Sequence, residues 1–257
     1  SWFPLMTEKP LVYIILGAAG SGRRAIVADL IEAGLDGATT AVLLAETEAA
    51  DPADSRLPGL ARWKAEDEFI LATLPKGATH VFFITDGRRN PVEQLEALKT
   101  WVEAQAAEVG RVLCVVNCQL GEKHAPLLAW FEACVHFSDV VLLTRREGVA
   151  NKWLSDFRGH FEKQYYPCLF EFVKDGQVKN PALVLDPAAR RLSHAFDAEQ
   201  DWVFTDADGE EIDEDEETDG DEEVEATPEV DPYFARDAAL RRVKKIPDIT
   251  KFLPPVG

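Results

Sequence analysis

The chain has 257 residues, with 46 acidic against 27 basic side chains and a formal net charge of −19. That length holds one α/β domain with a sizeable buried core plus appendages. Nineteen of the acidic residues lie between Asp197 and Asp231, where there is no Lys or Arg, so the other 27 match the 27 basic residues; a neutral body argues against a general nucleic-acid binder.

Residues 1–9, with Trp2 and Phe3, read as an N-terminal extension. From residue 10 to about 175, apolar runs alternate with helical stretches. The candidate strands are LVYIIL (11–16), TAVLLAE (40–46), HVFFITD (80–86), RVLCVVN (111–117), DVVLLTR (139–145) and CLFEFV (168–173). They are apolar throughout, as parallel strands buried on both faces must be. Helices are expected over 23–34, ending on Gly34, over 91–108 behind an Asn90–Pro91 start, and over 123–137 and 149–164. A further helix is expected within 57–74. The implied fold class is α/β: a doubly wound, mostly parallel sheet of the P-loop NTPase type, with a disordered acidic C-terminal tail. Residues 176–196 read as an irregular edge or hairpin, turning at Asp175–Gly176. Residues 197–231 read as an acidic disordered linker and 232–257 as a basic C-terminal segment. Within that segment, 233–245 reads as a short amphipathic helix using Leu240 and Val243.

Cys114, Cys118, Cys134 and Cys168 form no C-x-x-C pair. No secretory leader is visible, and no apolar segment approaches the ~20 residues that span a bilayer. A cytoplasmic protein without a membrane partner is the expectation. Cys114, Cys118, Cys134 and His136 do not converge on one end of the expected sheet, which argues against zinc.

The most informative segment is LGAAGSGRR, residues 16–24, between the first strand and the first helix. Gly17 and Gly22 have the spacing of G-x-x-x-x-G-K-S/T, whose main-chain N–H groups surround phosphate at a helix N-terminus. Gly17, Ala18, Ala19, Gly20, Ser21 and Gly22 keep that backbone pattern. Arg23 and Arg24 stand where Lys and Ser/Thr belong. Arg23 can grip phosphate oxygens, whereas Arg24 has no oxygen with which to hold Mg²⁺.

Over residues 10–165 the chain resembles the CobW family of P-loop GTPases and metallochaperones. The family's GFLGAGKTT looks like GAAGSGRRA (17–25), and VIVNE looks like VLLAE, ending at Glu46. IETSGLADP looks like FITDGRRNP (83–91), with Gly87 and Pro91 kept. VVTVVDA looks like VLCVVNC, and FADRIVLNKTD looks like FSDVVLLTRRE (137–147). The resemblance implies a GTP or other nucleotide site and a GTPase activity. The departures put both in doubt. The guanine-reading NKxD falls on Thr144, Arg145, Arg146 and Glu147, and the family's CxCC metal motif has no counterpart between Ala41 and Thr79.

Arg23, Arg24, Arg88 and Arg89 are expected on loops at the carboxyl ends of adjacent strands, where open α/β sheets bind ligands. Glu46 and Asp86 are the candidate carboxylates for residual metal or catalysis, with Mg²⁺ itself doubtful. Two readings stand. In the first, the chain binds a nucleotide or other phosphorylated ligand, with weak or absent hydrolysis. In the second, it is a pseudo-GTPase scaffold that binds no nucleotide and meets a protein partner through its tail and residues 232–257.

Overall fold

A computed structural model of the protein describes residues 8–198, 202–213 and 225–255. Trp2 and Phe3 of the N-terminal extension, and residues 199–201 and 214–224 of the acidic run, lie outside them. The chain divides into two compact units: residues up to Ser193 with those from Lys245 onward, and His194–Lys244.

The first unit is built on nine strands: β1 (Leu11–Gly17), β2 (Thr40–Ala45), β3 (Ala61–Glu66), β4 (Phe69–Leu71), β5 (His80–Ile84), β6 (Glu108–Asn117), β7 (Val140–Thr144), β8 (Leu169–Lys174) and β9 (Gln177–Val178). Their spatial order is β4-β3-β2-β5-β1-β6-β7-β8-β9. From β3 through β8 every pairing is parallel, and only the outermost β4 and β9 run antiparallel. This is the doubly wound sheet of the P-loop NTPase type. The chain leaves β1 first toward β2 and β5, then crosses to β6. The strand order therefore reverses at β1 and opens a crevice at its carboxyl end.

Among the described residues, six helices accompany the sheet: α1 (Arg23–Gly34), α2 (Pro91–Ala104), α3 (Cys118–Lys123), α4 (Leu128–His136), α5 (Asn151–Glu162) and α6 (Pro181–Leu185). Ile26, Val27 and Leu30 of α1 pack with Tyr13, Val42, Phe82 and Leu113. On the opposite face Phe83 meets Trp63 and, from α2, Trp101. Asn90 caps α2 by accepting from the N–H groups of Val92 and Glu93, with Pro91 in the first turn. Gly34 ends α1 for a packing reason: a Cβ there would lie 2.7 Å from Leu185 Cδ1 of α6.

Three expectations are corrected. The stretch 57–74 holds the β3–β4 hairpin in place of a helix, turning at Asp67, whose φ is 56°. In ARWKAE only Trp63 faces inward, and one inward residue among exposed neighbours hides the two-residue period. The helix expected over 123–137 is split by a break at His124 and a 3₁₀ turn over Ala125–Leu127 containing Pro126. Residues 233–245 form turns and an Arg236–Arg242 bridge. The Asp237 carboxylate accepts from the N–H groups of Ala239 and Arg241, which competes with helical bonding.

Trp63 fixes the hairpin to the sheet. It is 3 % exposed, donates from Nε1 to Ile84 O at 2.8 Å and stacks on Phe83. Trp63→Ala is expected to cost about 3–5 kcal/mol, measured by urea unfolding.

In the second unit β10 (Trp202–Thr205), β11 (Glu211–Ile212) and β12 (Glu225–Pro228) form an antiparallel sheet in the order β11-β10-β12. Part of the acidic run thus carries strand structure. Among the described residues, no helix is long and apolar enough to cross a membrane.

Candidate functional site

The loop between β1 and α1 has the backbone its sequence calls for. Gly20 and Gly22 take left-handed angles, with φ of 79° and 84°, and Gly22 leads directly into α1. The space beside Gly17, however, is occupied by the loop's own side chains. A Cβ placed on Gly17 would lie 3.0 Å from Arg23 Cδ and 3.2 Å from Ser21 Oγ. Ser21 is fully buried and donates its hydroxyl to Ala18 O at 2.7 Å. The Ala19 N–H donates to Gly87 O at 2.9 Å, and the Ser21 N–H to Ala18 O at 3.2 Å. Gly87 presses on the loop so closely that a Cβ there would meet Ala19 N at 2.3 Å.

The two loop arginines are neutralised by the chain itself. Arg23 is 5 % exposed; its guanidinium donates to Thr85 O and, at 2.5 Å, to Glu48 Oε1. Arg24 reaches Glu48 Oε2 at 3.3 Å and Asp54 Oδ1 at 2.9 Å. Glu48 also accepts from the Gly87 N–H at 3.2 Å. Burial pushes the Glu48 carboxyl up, but Arg23, the Gly87 N–H and Arg24 outweigh it and hold the group below its ordinary value of 4.5. A carboxylate ringed by two guanidiniums and a main-chain N–H has the surroundings of a bound oxyanion.

The other expected residues spread out from this centre. Arg88 donates to Pro254 O at 3.1 Å, and Arg89 turns back to Asp86 at 3.3 Å. The four arginines therefore do not converge. Glu46 is exposed, with its N–H bonded to Trp63 O. Asp86 accepts from the Thr47 hydroxyl at 2.7 Å and from the Arg88 N–H at 2.9 Å. Each Asp86 oxygen thus already accepts a hydrogen bond, and position 24 offers a guanidinium where the loop pattern has a hydroxyl for Mg²⁺.

Sequence reasoning missed Glu48 and Asp54, which follow β2 and fold back over the loop. It also missed Arg145. The left-handed Arg145 backbone, with φ of 53°, carries the guanidinium to 3.4 Å from the Cβ position of Gly22. The end of the chain adds a further layer. Ile249 is 1 % exposed, and the Phe252 ring packs edge-on to His124 beyond the carboxyl end of β6.

All four cysteines are buried and free. Burial raises the thiols of Cys118 and Cys168 to about 12, and that of Cys134 well above its usual range. Cys118, Cys134 and Cys168 are neutral thiols at pH 7, poor as nucleophiles or metal ligands. Among the described residues, no three His, Cys, Asp or Glu side chains are grouped to hold a metal ion.

No protein-family model matches the chain, and no curated protein matches it. Several solved structures are similar. The hydrogenase maturation factor HypB from Archaeoglobus fulgidus is 10 % identical, with a TM-score of 0.43 over 64 % of this chain and 81 % of that one. The signal recognition particle receptor FtsY from Elizabethkingia anophelis, in complex with GDP, is 16 % identical, with a TM-score of 0.44 over 77 % and 67 %. The Zn(II)-bound YjiA GTPase from E. coli is 11 % identical, with a TM-score of 0.41 over 78 % and 72 %. At these identities and TM-scores the likeness says nothing of function, and the architecture of the chain is described by its own strand order.

Proposed function

We propose that this chain is a divergent, CobW-like pseudo-GTPase, a scaffold whose phosphate site is satisfied by its own side chains. One observation carries the reading. Glu48 already takes the contacts that Arg23, Arg24 and the Gly87 N–H would offer to a phosphate oxygen. The occupied space beside Gly17 and the engaged Asp86 oxygens support it. The test is a thermal-shift and calorimetric panel of GTP, GDP, ATP and ADP, with and without Mg²⁺. A ligand at 100 times its Kd adds about 2.7 kcal/mol of stability. The expected result is no saturable shift with any of them, and a saturable shift with any one overturns the scaffold reading.

Arg145 favours a second reading, nucleotide binding with weak or absent hydrolysis. Among the described residues its guanidinium has no hydrogen-bond or ion-pair partner, and it lies beside the N-terminus of α1. On that reading the panel returns a shift that does not depend on Mg²⁺ and that Arg145→Ala removes.

A further inference from the structure

The last described residues of the chain, 245–255, pack with the first unit. They carry their own local structure. Asp248 accepts from the Thr250 N–H at 3.0 Å and from its hydroxyl at 2.7 Å, which caps a 3₁₀ turn over Ile249–Phe252. Pro254 and Pro255 follow and end it.

Two contacts place this segment over the sheet. The Phe252 ring meets His124 edge-on, with centroids 5.2 Å apart, and Pro254 O accepts from Arg88 Nη2 at 3.1 Å. Arg88 follows β5, and His124 follows β6 through α3. β5 and β6 are the two neighbours of β1, so the segment bridges from one side of the glycine loop to the other. Its hold is slight. Ile249 is its single fully buried side chain. Among the described residues, the Arg88 bond is the one hydrogen bond that leaves the segment, and no part of it joins the sheet. Segments held by so few contacts open locally far more often than a core does.

We infer that residues 246–254 are a detachable strap. They form a peptide already folded into its turn, which docks in cis across the carboxyl end of β1. It gives way to a peptide of the same pattern, an Ile followed three residues on by Phe-Leu-Pro. Ile249 is the anchor, Phe252 closes on the rim at His124, and Arg88 holds the main chain beyond it. The covalent tether keeps the strap at high effective concentration, so an outside peptide reaches the place only in the fraction of molecules whose strap has left. The strap covers the end of the sheet that carries the glycine loop. It gives the scaffold reading a partner class, a short apolar peptide, and rests on that reading only in taking a peptide, and not a nucleotide, as the guest.

The probe is a fluorescein-labelled peptide of residues 246–255. It is titrated by anisotropy against the full chain and against the full chain carrying Ile249→Asp, which releases its own strap. The expected result is saturable binding to the variant, tighter than to the parent by about tenfold or more. A control peptide with the Ile249→Asp change should bind neither. Phe252→Ala in the chain should move the affinity in the same direction by a smaller factor. Hydrogen exchange over residues 17–24 should quicken in the Ile249→Asp chain while β7 stays protected. The proposal is overturned if the variant binds no peptide, if both chains bind it equally, if the control peptide binds as well, or if exchange at the glycine loop is unchanged. It is overturned too if circular dichroism shows the Ile249→Asp chain unfolded, since the segment is then part of the core. A saturable nucleotide shift in the parent would remove the scaffold reading and leave the peptide exchange standing, so the two can fail separately.

Discussion

Glu48→Ala should destabilise the protein by about 3–5 kcal/mol, the usual cost of leaving a buried charge without its partner, and should create a response to phosphate that the parent lacks. The arginine left behind is Arg23, with a side chain only 4 % exposed. It keeps its bond to Thr85 O but loses its counter-ion. Arg24 keeps Asp54. Inorganic phosphate or pyrophosphate can then occupy the place of the carboxylate, between two guanidiniums and the Gly87 N–H. Urea unfolding with and without millimolar phosphate measures both effects. The variant should recover stability with phosphate and the parent should not; a phosphate response of equal size in both would remove Glu48 from the role of internal anion. The pH dependence carries the same signature. The Glu48 carboxyl is held below its ordinary 4.5. Its contribution is therefore complete above that value and is lost as pH falls through the folded-state value. Glu48→Gln should show a shallower loss of stability in acid than the parent.

Asp139→Asn should be the most damaging conservative substitution in the sheet, at about 3–5 kcal/mol. Asp139 lies immediately before β7 and is fully buried. One oxygen accepts from the Val112 N–H at 2.7 Å and from Arg191 Nη1 at 2.9 Å; the other accepts from the Arg190 N–H at 2.6 Å. Every one of these contacts needs an acceptor. An amide would turn an N–H toward donors and leave Arg191 buried beside a neutral group. Denaturant unfolding measures the loss. Arg191→Met in the Asp139→Asn background should recover part of it, because the pair is then removed whole. If the double variant is as unstable as the sum of the singles, the ion pair is not the source of the effect.

The body of the sheet was legible in the sequence for a simple reason. β1, β2, β5, β7 and β6 from Val112 onward are buried on both faces and read as apolar runs. The glycine loop was legible too, because its left-handed residues can hardly be anything but glycine. The hairpin was not. β3 shows one inward tryptophan, and β4 is only three residues long. The site was legible in its backbone and misleading in its charges. Arg23 and Arg24 looked like ligand donors because they occupy the Lys and Ser/Thr positions of the loop pattern. Their carboxylate lies 24 and 25 residues further along, on a loop whose return over the glycine turn is a tertiary event. Glu46, which resemblance selected, is exposed; Glu48, two residues on, makes the contacts. Arg88 and Arg89 were placed on the correct loop, but their side chains turn elsewhere.

The Asp139 cluster has a consequence for digestion. Arg190–Arg191 is a dibasic pair of the kind that trypsin cuts readily in a loose chain. A protease must draw its target bond out as a free extended strand, and here Asp139 holds Arg190 by the main chain and Arg191 by its side chain. Scission between them should wait until the sheet opens, while exposed lysines elsewhere are nicked first. Fragments ending at Arg190 would then time the opening of the whole fold, and the Asp139→Asn protein should release them early.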